Sequence, residues 1–133
     1  MKREDLLKEA FKAMENSYAP YSNYHVGAAV SCTDGRVFWG VNVENASFGA
    51  TNCAERSAVF AAYSCGYRKD TIDALAIVSD GDRIAAPCGI CRQVLSELLK
   101  QDTPIYLSNG KDEVDTNIAE LLPMQFTEED VIR

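Results

Sequence analysis

The sequence has few of the features that mark membrane or nucleic-acid-binding proteins. It carries 13 basic residues against 20 acidic ones, which gives a net charge of −7 with its one histidine neutral. Such a surface repels phosphate backbones, and the chain has neither a glycine-rich phosphate loop nor a basic cluster. These absences disfavour a nucleic-acid groove, and we expect a small-molecule partner instead.

Long apolar runs are also missing. The longest stretch without Asp, Glu, Lys or Arg is Asn16–Thr33. This segment cannot span a bilayer, because it contains a proline, three tyrosines and several serines and asparagines. Residues 1–5 lack the apolar region of a secretory signal peptide. The sequence therefore predicts no membrane partner and a cytoplasmic location, where thiols stay reduced.

No repeat, low-complexity tract or flexible linker divides the chain, and 133 residues suit a single domain, 1–133. Periodicity and turn signals predict helices at Glu4–Asn16, Cys53–Cys65, Cys88–Lys100 and Asn117–Leu122. They predict strands at His25–Cys32, Arg36–Glu44, Leu75–Ser79 and Ile105–Ser108, with a short last strand around Val114. The resulting order of elements indicates an α/β fold in which helices cover a mixed sheet.

The second helix has a stripe of small side chains, formed by Ala54, Ala58, Ala61, Ala62 and Cys65. Such a stripe permits close approach by another element, so we expect the protein to form an oligomer.

The chain has an odd number of cysteines: Cys32, Cys53, Cys65, Cys88 and Cys91. In a reducing compartment this favours metal binding or catalysis over a disulfide framework. Cys88 and Cys91 lie one turn apart at the start of a predicted helix, and Cys53 opens another. Helix N-termini stabilise thiolates, and three thiolates suit zinc. We expect Cys32 and Cys65 to pack as small apolar residues.

No fourth ligand is obvious, which is typical of a catalytic zinc site that keeps one position for water. Glu55 follows Cys53 by two residues, and in a regular helix those positions point almost oppositely. We therefore expect Cys53 at the helix cap and Glu55 in the first turn, where it reaches the water. Arg56 can donate hydrogen bonds to a thiolate and draw charge from the sulfurs.

Other interpretations of these residues stay open. Cys88 and Cys91 also fit a redox pair or half of a structural zinc site, and Glu55 fits a solvated acid at a helix start. His25 fits a strand-edge residue or a fourth ligand. Arg56 fits a surface cation. Asn42 and Glu44, two apart on a predicted strand, fit either a polar outer face or a binding pair.

The two segments Cys53-Ala54-Glu55 and Pro87-Cys88-Gly89-Ile90-Cys91 match the signature of the zinc-dependent deaminases. Further segments extend the match over nearly the whole chain, so that it resembles the small homotetrameric cytidine deaminases. These segments are Tyr18–Ser22, Val26–Ala29, Gly40–Ser47, Cys53–Arg56, Cys91–Val94, Leu121–Pro123 and Phe126.

The resemblance implies a three-layer α-β-α fold with a central mixed five-stranded sheet. It implies hydrolysis of cytidine and deoxycytidine to uridine and deoxyuridine with release of ammonia, as in pyrimidine salvage. One Zn²⁺ per subunit would be bound by Cys53, Cys88 and Cys91, with Glu55 as the catalytic proton shuttle. The resemblance also implies a homotetramer.

The resemblance also assigns the substrate-binding residues. Asn42 and Glu44 would hold the ribose 3′-hydroxyl, and the Glu44 carboxylate would repel a 3′-phosphate. Tyr24 occupies a position where a phenylalanine commonly stacks on the base, and Phe48 a position where tyrosine is also found. Ala54 counts among the substrate-binding residues, and Phe126 would reach a neighbouring subunit's site.

Two other functions compete with this interpretation. One is a deaminase of another substrate, such as a blasticidin-type compound, a nucleotide, guanine or transfer RNA. The other is a zinc-stabilised binding module without catalysis, which would need four protein ligands and would leave Glu55 incidental.

Overall fold

The computed structural model describes residues 1–131, which form a five-stranded sheet with helices on both faces. The strands are β1 (Val26–Cys32), β2 (Val37–Val41), β3 (Ile72–Ser79), β4 (Ile105–Ser108) and β5 (Glu113–Thr116). The helices are α1 (Arg3–Met14), α2 (Ala54–Ser64), α3 (Gly89–Leu98) and α4 (Ile118–Leu121). Short 3-10 turns occupy Phe48–Ala50, Lys69–Thr71 and Glu128–Asp130.

The sheet is mixed, with the strand order β2-β1-β3-β4-β5. The β1 strand pairs antiparallel with both β2 and β3, β3 pairs parallel with β4, and β4 pairs antiparallel with β5. The parallel pair requires a crossover, which α3 provides between β3 and β4.

The helices divide between the two faces of the sheet. On one face, α1 buries Leu6, Leu7 and Ala10 against small and aliphatic side chains of β1 and β3. The core on the other face joins residues of α2, α3 and α4 to the sheet, including Val59, Leu95 and Ile118. This arrangement confirms the three-layer α-β-α fold and its mixed five-stranded sheet.

Two glycines allow helices to lie directly on the strands. A Cβ at Gly27 would stand 2.3 Å from the Ala10 carbonyl of α1, and one at Gly40 would stand 2.2 Å from the Ala54 carbonyl of α2. Either contact is far inside van der Waals distance. The absence of a side chain at Gly40 therefore brings the start of α2 into backbone contact with β2.

This contact corrects the prediction from the small-residue stripe. Ala54, Ala58 and Ala62 are fully buried within the chain, where the first two lie against Gly40. Because these three residues pack within the chain's own core, they do not support an oligomer. Cys32 is buried as predicted, but the prediction for Cys65 is wrong, since this residue caps the end of α2 and is exposed.

The element boundaries shift in two informative places. The β3 strand begins three residues before the predicted Leu75, because Ile72 and Ala74 are buried while Asp73 between them accepts a hydrogen bond from Ser31 of β1. The β2 strand ends at Val41, so Asn42 and Glu44 lie beyond it rather than on it. No helix within residues 1–131 is long and apolar enough to cross a membrane.

Candidate metal centre and active site

The starts of two helices bring three cysteine sulfurs together. Cys53 is the N-cap residue of α2, Cys88 is the N-cap residue of α3, and Cys91 lies in the first turn of α3. The Cys53 and Cys88 sulfurs are 3.9 Å apart, the Cys88 and Cys91 sulfurs are 3.5 Å apart, and all three lie within 4.8 Å of one another.

These distances fit a zinc ion. Three sulfurs that each lie about 2.3 Å from one tetrahedral zinc are about 3.8 Å from each other. Among the described residues, no further histidine, cysteine or carboxylate joins the group. His25 instead lies near Ser17 and Asn23, within hydrogen-bonding distance of their side-chain oxygens. The three-sulfur set with one side open is the arrangement expected of a catalytic zinc site.

Charge is distributed unevenly over the sulfurs. Hydrogen bonding from the Cys91 thiol lowers the pKa of Cys53 well below the ordinary thiol value, and the Arg56 guanidinium adds to this. The same bond and burial raise the pKa of Cys91. The Arg56 donor therefore favours the thiolate form of Cys53. Metal binding would displace the remaining protons, because zinc binds thiolates.

The Arg56 side chain faces this thiolate. Its Nη2 donates to the Cys53 sulfur at 3.3 Å, while its buried Nε has no partner among the described residues. A guanidinium in this position offsets part of the negative charge of a three-thiolate site. The geometry therefore disagrees with the surface-cation interpretation of Arg56.

Glu55 lies in the first turn of α2, directly after the cap, and only 5% of its surface is exposed. This matches the cap geometry expected from the sequence. Burial raises its pKa to about 7, and the nearby Cys53 charge acts in the same direction. A carboxyl group of this kind can hold or release a proton near neutral pH, as general acid–base catalysis requires.

A cavity of about 240 Å³ opens beside the cage. Its walls include two of the three cysteines, Cys53 and Cys88, together with Glu55, Ala54, Asn42 and Tyr24. The remaining lining residues were not singled out from the sequence: Val26, Thr51, Asn52, Ala85 and Ala86. Small side chains in the loop before Pro87 were the available signal for the last two.

Asn42 is held firmly in the cavity wall. Its Oδ1 accepts from the Val26 amide at 3.0 Å and from the Ser17 hydroxyl, and its Nδ2 donates to the Tyr24 carbonyl at 2.8 Å. One amide hydrogen remains for a ligand. The hydrogen bonds also fix the main chain on both sides of His25, directly after Tyr24.

Glu44 lies in a neighbouring recess of about 170 Å³, which it lines with Tyr21, Ser22, Phe48 and Thr51. Its carboxylate accepts from the Tyr21 and Ser22 amides, each at 3.0 Å, and from the Ser22 hydroxyl. These bonds, that of the hydroxyl foremost, lower its pKa. Thr51 lines both recesses, so they are adjacent, and Val43 between Asn42 and Glu44 still forms isolated bridges beyond the end of β2.

The aromatic residues differ in their relation to the cavity. Tyr24 lines it and packs on Gly81, where a Cβ would approach the ring to 2.7 Å. Phe48 is 81% exposed at the outer recess. Phe126 lies in a separate groove beside Gln93 of α3 and does not reach the cysteines of its own chain.

Comparisons with known proteins agree with this geometry. Residues 1–107 match the model of the "Cytidine and deoxycytidylate deaminase zinc-binding region". A cytidine deaminase of Halalkalibacterium halodurans is 51% identical over 132 residues, covering 98% of each chain. One of Sporosarcina psychrophila is 45% identical, covering 96% of this chain and 93% of its own.

A solved structure shares the fold as well as the sequence. The crystal structure of a cytidine deaminase from Burkholderia pseudomallei superimposes with a TM-score of 0.91 at 46% identity, covering 95% of this chain and all of that one. The cysteines at the starts of two helices, the fold and the similarity along nearly the full length lead to one conclusion. This chain belongs to the cytidine and deoxycytidylate deaminase zinc-binding family.

Proposed function

We propose that the protein is a cytidine deaminase that hydrolyses cytidine and deoxycytidine to uridine and deoxyuridine with release of ammonia, acting in pyrimidine salvage. The observation that carries the proposal is the buried Glu55 carboxyl, which lines a cavity together with two of the three clustered cysteines. A non-catalytic zinc module would need a fourth protein ligand and would have no use for a buried acid there.

Cys53, Cys88 and Cys91 would hold one Zn²⁺ per subunit. When bound, zinc supplies a Lewis acid that makes water a nucleophile near neutral pH. Arg56 stabilises the Cys53 thiolate through its hydrogen bond, which reduces the charge that three sulfurs would otherwise place on the site.

Glu55 moves the protons of the reaction. Its carboxylate accepts a proton from the attacking water and delivers it to N3 of cytosine while the oxygen adds to C4. It then transfers the second proton of the water oxygen to the amino group, which leaves as ammonia, and the C4 carbonyl forms. Water and cytidine thereby give uridine and ammonia without an oxidant or a further reactant.

The other cavity residues position the nucleoside. The Tyr24 ring offers a stacking surface for the base, and Ala54 leaves room for the base next to Glu55. Asn42 offers its remaining amide hydrogen to a sugar oxygen. Glu44 keeps about one lone-pair direction free for a sugar hydroxyl, and its charge disfavours a 3′-phosphate.

A homotetramer in the cytoplasm remains part of this proposal. The 59% exposure of Phe126 and the 81% exposure of Phe48 support a neighbouring subunit that covers them. In that assembly Phe126 would contribute to a partner's cavity, since it lies away from the cavity of its own chain.

The test is a substrate panel with purified zinc-loaded protein. Cytidine, deoxycytidine, cytidine monophosphate, guanine and blasticidin S are compared by loss of substrate absorbance and by ammonia release. We expect turnover of the two nucleosides, with the nucleotide processed much more slowly. Turnover of guanine or blasticidin S alone would favour another deaminase, and no turnover with zinc bound would favour the binding module.

A further inference from the structure

Arg92 lies directly after the Cys91 ligand, on α3, and its half-buried side chain bonds two distant main-chain carbonyls. Its Nε donates to the Pro87 carbonyl at 2.7 Å, and its Nη1 donates to the Leu121 carbonyl at 2.7 Å. Both bonds are short and involve a full positive charge, which makes them stronger than bonds between neutral groups. Neither bond is needed to form the helix itself.

The first of these bonds fixes the backbone next to a metal ligand. The Pro87 carbonyl belongs to the peptide group whose nitrogen is that of Cys88. Cys88 is exposed, and its sulfur caps no helix amide. Within residues 1–131, only the neighbouring thiols bond this sulfur. A fixed peptide plane at this point restricts where the Cys88 sulfur can lie, because a single side-chain torsion separates it from the main chain.

The second bond connects this peptide to the C-terminal part of the chain. Leu121 is the last residue of α4, and the next residue of α3 after Arg92 makes a similar contact, since Gln93 Nε2 donates to the Phe126 carbonyl at 2.9 Å. Adjacent residues of α3 thus hold both ends of segment 121–126. Between them, Met124 is fully exposed and has a positive φ of 52°. Because its side chain packs on none of the described residues, the segment depends on the two anchors at its ends.

We propose that Arg92 is a positioning residue for the Cys88 ligand and that it links segment 121–126 to retention of the metal. The proposal rests on the zinc site of the proposed function, but not on the identity of the substrate. Loss of an outer partner of a metal ligand typically weakens metal binding by about 10- to 100-fold. We therefore expect Arg92→Gln to release zinc about 10- to 100-fold faster than the unaltered protein.

The chain offers a matched control in Arg68. Its Nη1 also donates to two main-chain carbonyls, those of Tyr63 and Tyr67, but at the end of α2 that is opposite Cys53. Arg68→Gln removes the same kind of guanidinium without touching the cysteines. Arg92→Lys is the second variant, because an ammonium group keeps the charge and can bond one carbonyl but lacks the fork that spans two.

Zinc release from the loaded proteins is followed by the colour of 4-(2-pyridylazo)resorcinol in excess, and the Co²⁺-loaded forms are compared by their sulfur-to-metal and d–d absorption bands. We expect faster release and altered bands for Arg92→Gln, an intermediate release rate for Arg92→Lys, and neither change for Arg68→Gln. Arg92→Lys alone decides the matter if Arg92→Gln does not fold.

The proposal would be overturned if the Arg92 variants released zinc at the same rate as Arg68→Gln and kept the Co²⁺ bands of the unaltered protein. Arg92 would then be purely structural. Equally accelerated release in Arg68→Gln would overturn it too. If the unaltered protein binds no zinc, the proposed function fails as well. If the unaltered protein binds zinc but the Arg92 variants behave like Arg68→Gln, this inference fails while the proposed function stands.

Discussion

Replacement of Glu55 by glutamine tests the chemistry most directly. The side chain keeps its volume in a site where 5% of its surface is exposed, so the fold and the cysteine cage should persist. Two proton transfers are assigned to this carboxyl, and each is typically worth about 10²–10⁴ in rate. Little bulk water reaches the buried position to substitute for it. We expect kcat for cytidine to fall by at least about 10⁴-fold in Glu55→Gln.

The same substitution should change stability with a defined pH dependence. In the metal-free protein, folding raises the pKa of Glu55 from 4.5 to about 7, chiefly through burial. The folded state therefore has its full free energy of unfolding below about pH 4.5, where the carboxyl is protonated. This contribution is lost as the pH rises through about 7. At 1.36 kcal/mol for each pH unit, the loss reaches ~3 kcal/mol. Because its amide cannot ionise, metal-free Glu55→Gln should gain ~3 kcal/mol over the unaltered protein between pH 4.5 and pH 8.

The assay combines cytidine turnover by the zinc-loaded proteins with urea unfolding of the metal-free ones. Zinc content is measured before turnover, so that metal loss is not mistaken for lost catalysis. Glu97→Gln, which makes the same change at an exposed site on α3, is the matched control and should leave turnover and unfolding unaltered. Turnover of Glu55→Gln within tenfold of the unaltered protein, at full zinc content, would refute the assigned role.

Substitutions at three further positions test the surroundings of Glu55. Arg56→Gln should lower kcat about 10- to 100-fold because the Cys53 sulfur loses its guanidinium donor, and an unchanged kcat would make Arg56 a surface cation. Tyr24→Ala should raise the KM for cytidine about 5- to 150-fold, since stacking of a base is worth about 1–3 kcal/mol. Tyr24→Phe keeps the ring and should leave KM unaltered; an equal rise in both variants would contradict stacking. Glu44→Gln should weaken cytidine binding and improve competition by cytidine 3′-phosphate, whereas unchanged inhibition would remove the charge argument.

The sequence was sufficient for the parts of the fold that depend on local periodicity and turn chemistry. The Ile105–Ser108 strand lies where it was predicted, and Gly66 with its positive φ follows α2 as a stop. The start of β3 could not be predicted, because Asp73 interrupts the apolar run and its partner, Ser31, is distant in sequence. Stripe residues such as Ala58 were assigned to the wrong contact for a similar reason: the pattern shows small side chains but not which surface meets them.

The candidate site shows the same difference between features set by neighbouring residues and features set by distant contacts. Spacing placed Cys88 and Cys91 on one helical turn and Cys53 at a cap, because these are properties of neighbouring residues. The hydrogen-bond partners of Asn42 and Glu44 could not be predicted, because the bonds of Glu44 to Tyr21 and Ser22 join residues far apart in sequence, which no local pattern indicates. Arg92 was overlooked as well, since its carbonyl partners lie 5 and 29 residues away.

The bare contact between Gly40 and α2 has a consequence for how heat should inactivate this protein. Because no side chain separates the strand from the helix, any displacement of β2 directly displaces the start of α2, where Cys53 lies. The ion and the folded state should then disappear together on warming, in one calorimetric transition whose midpoint follows the amount of free zinc. Metal supply would in that case govern the thermal tolerance of the whole molecule as well as its activity.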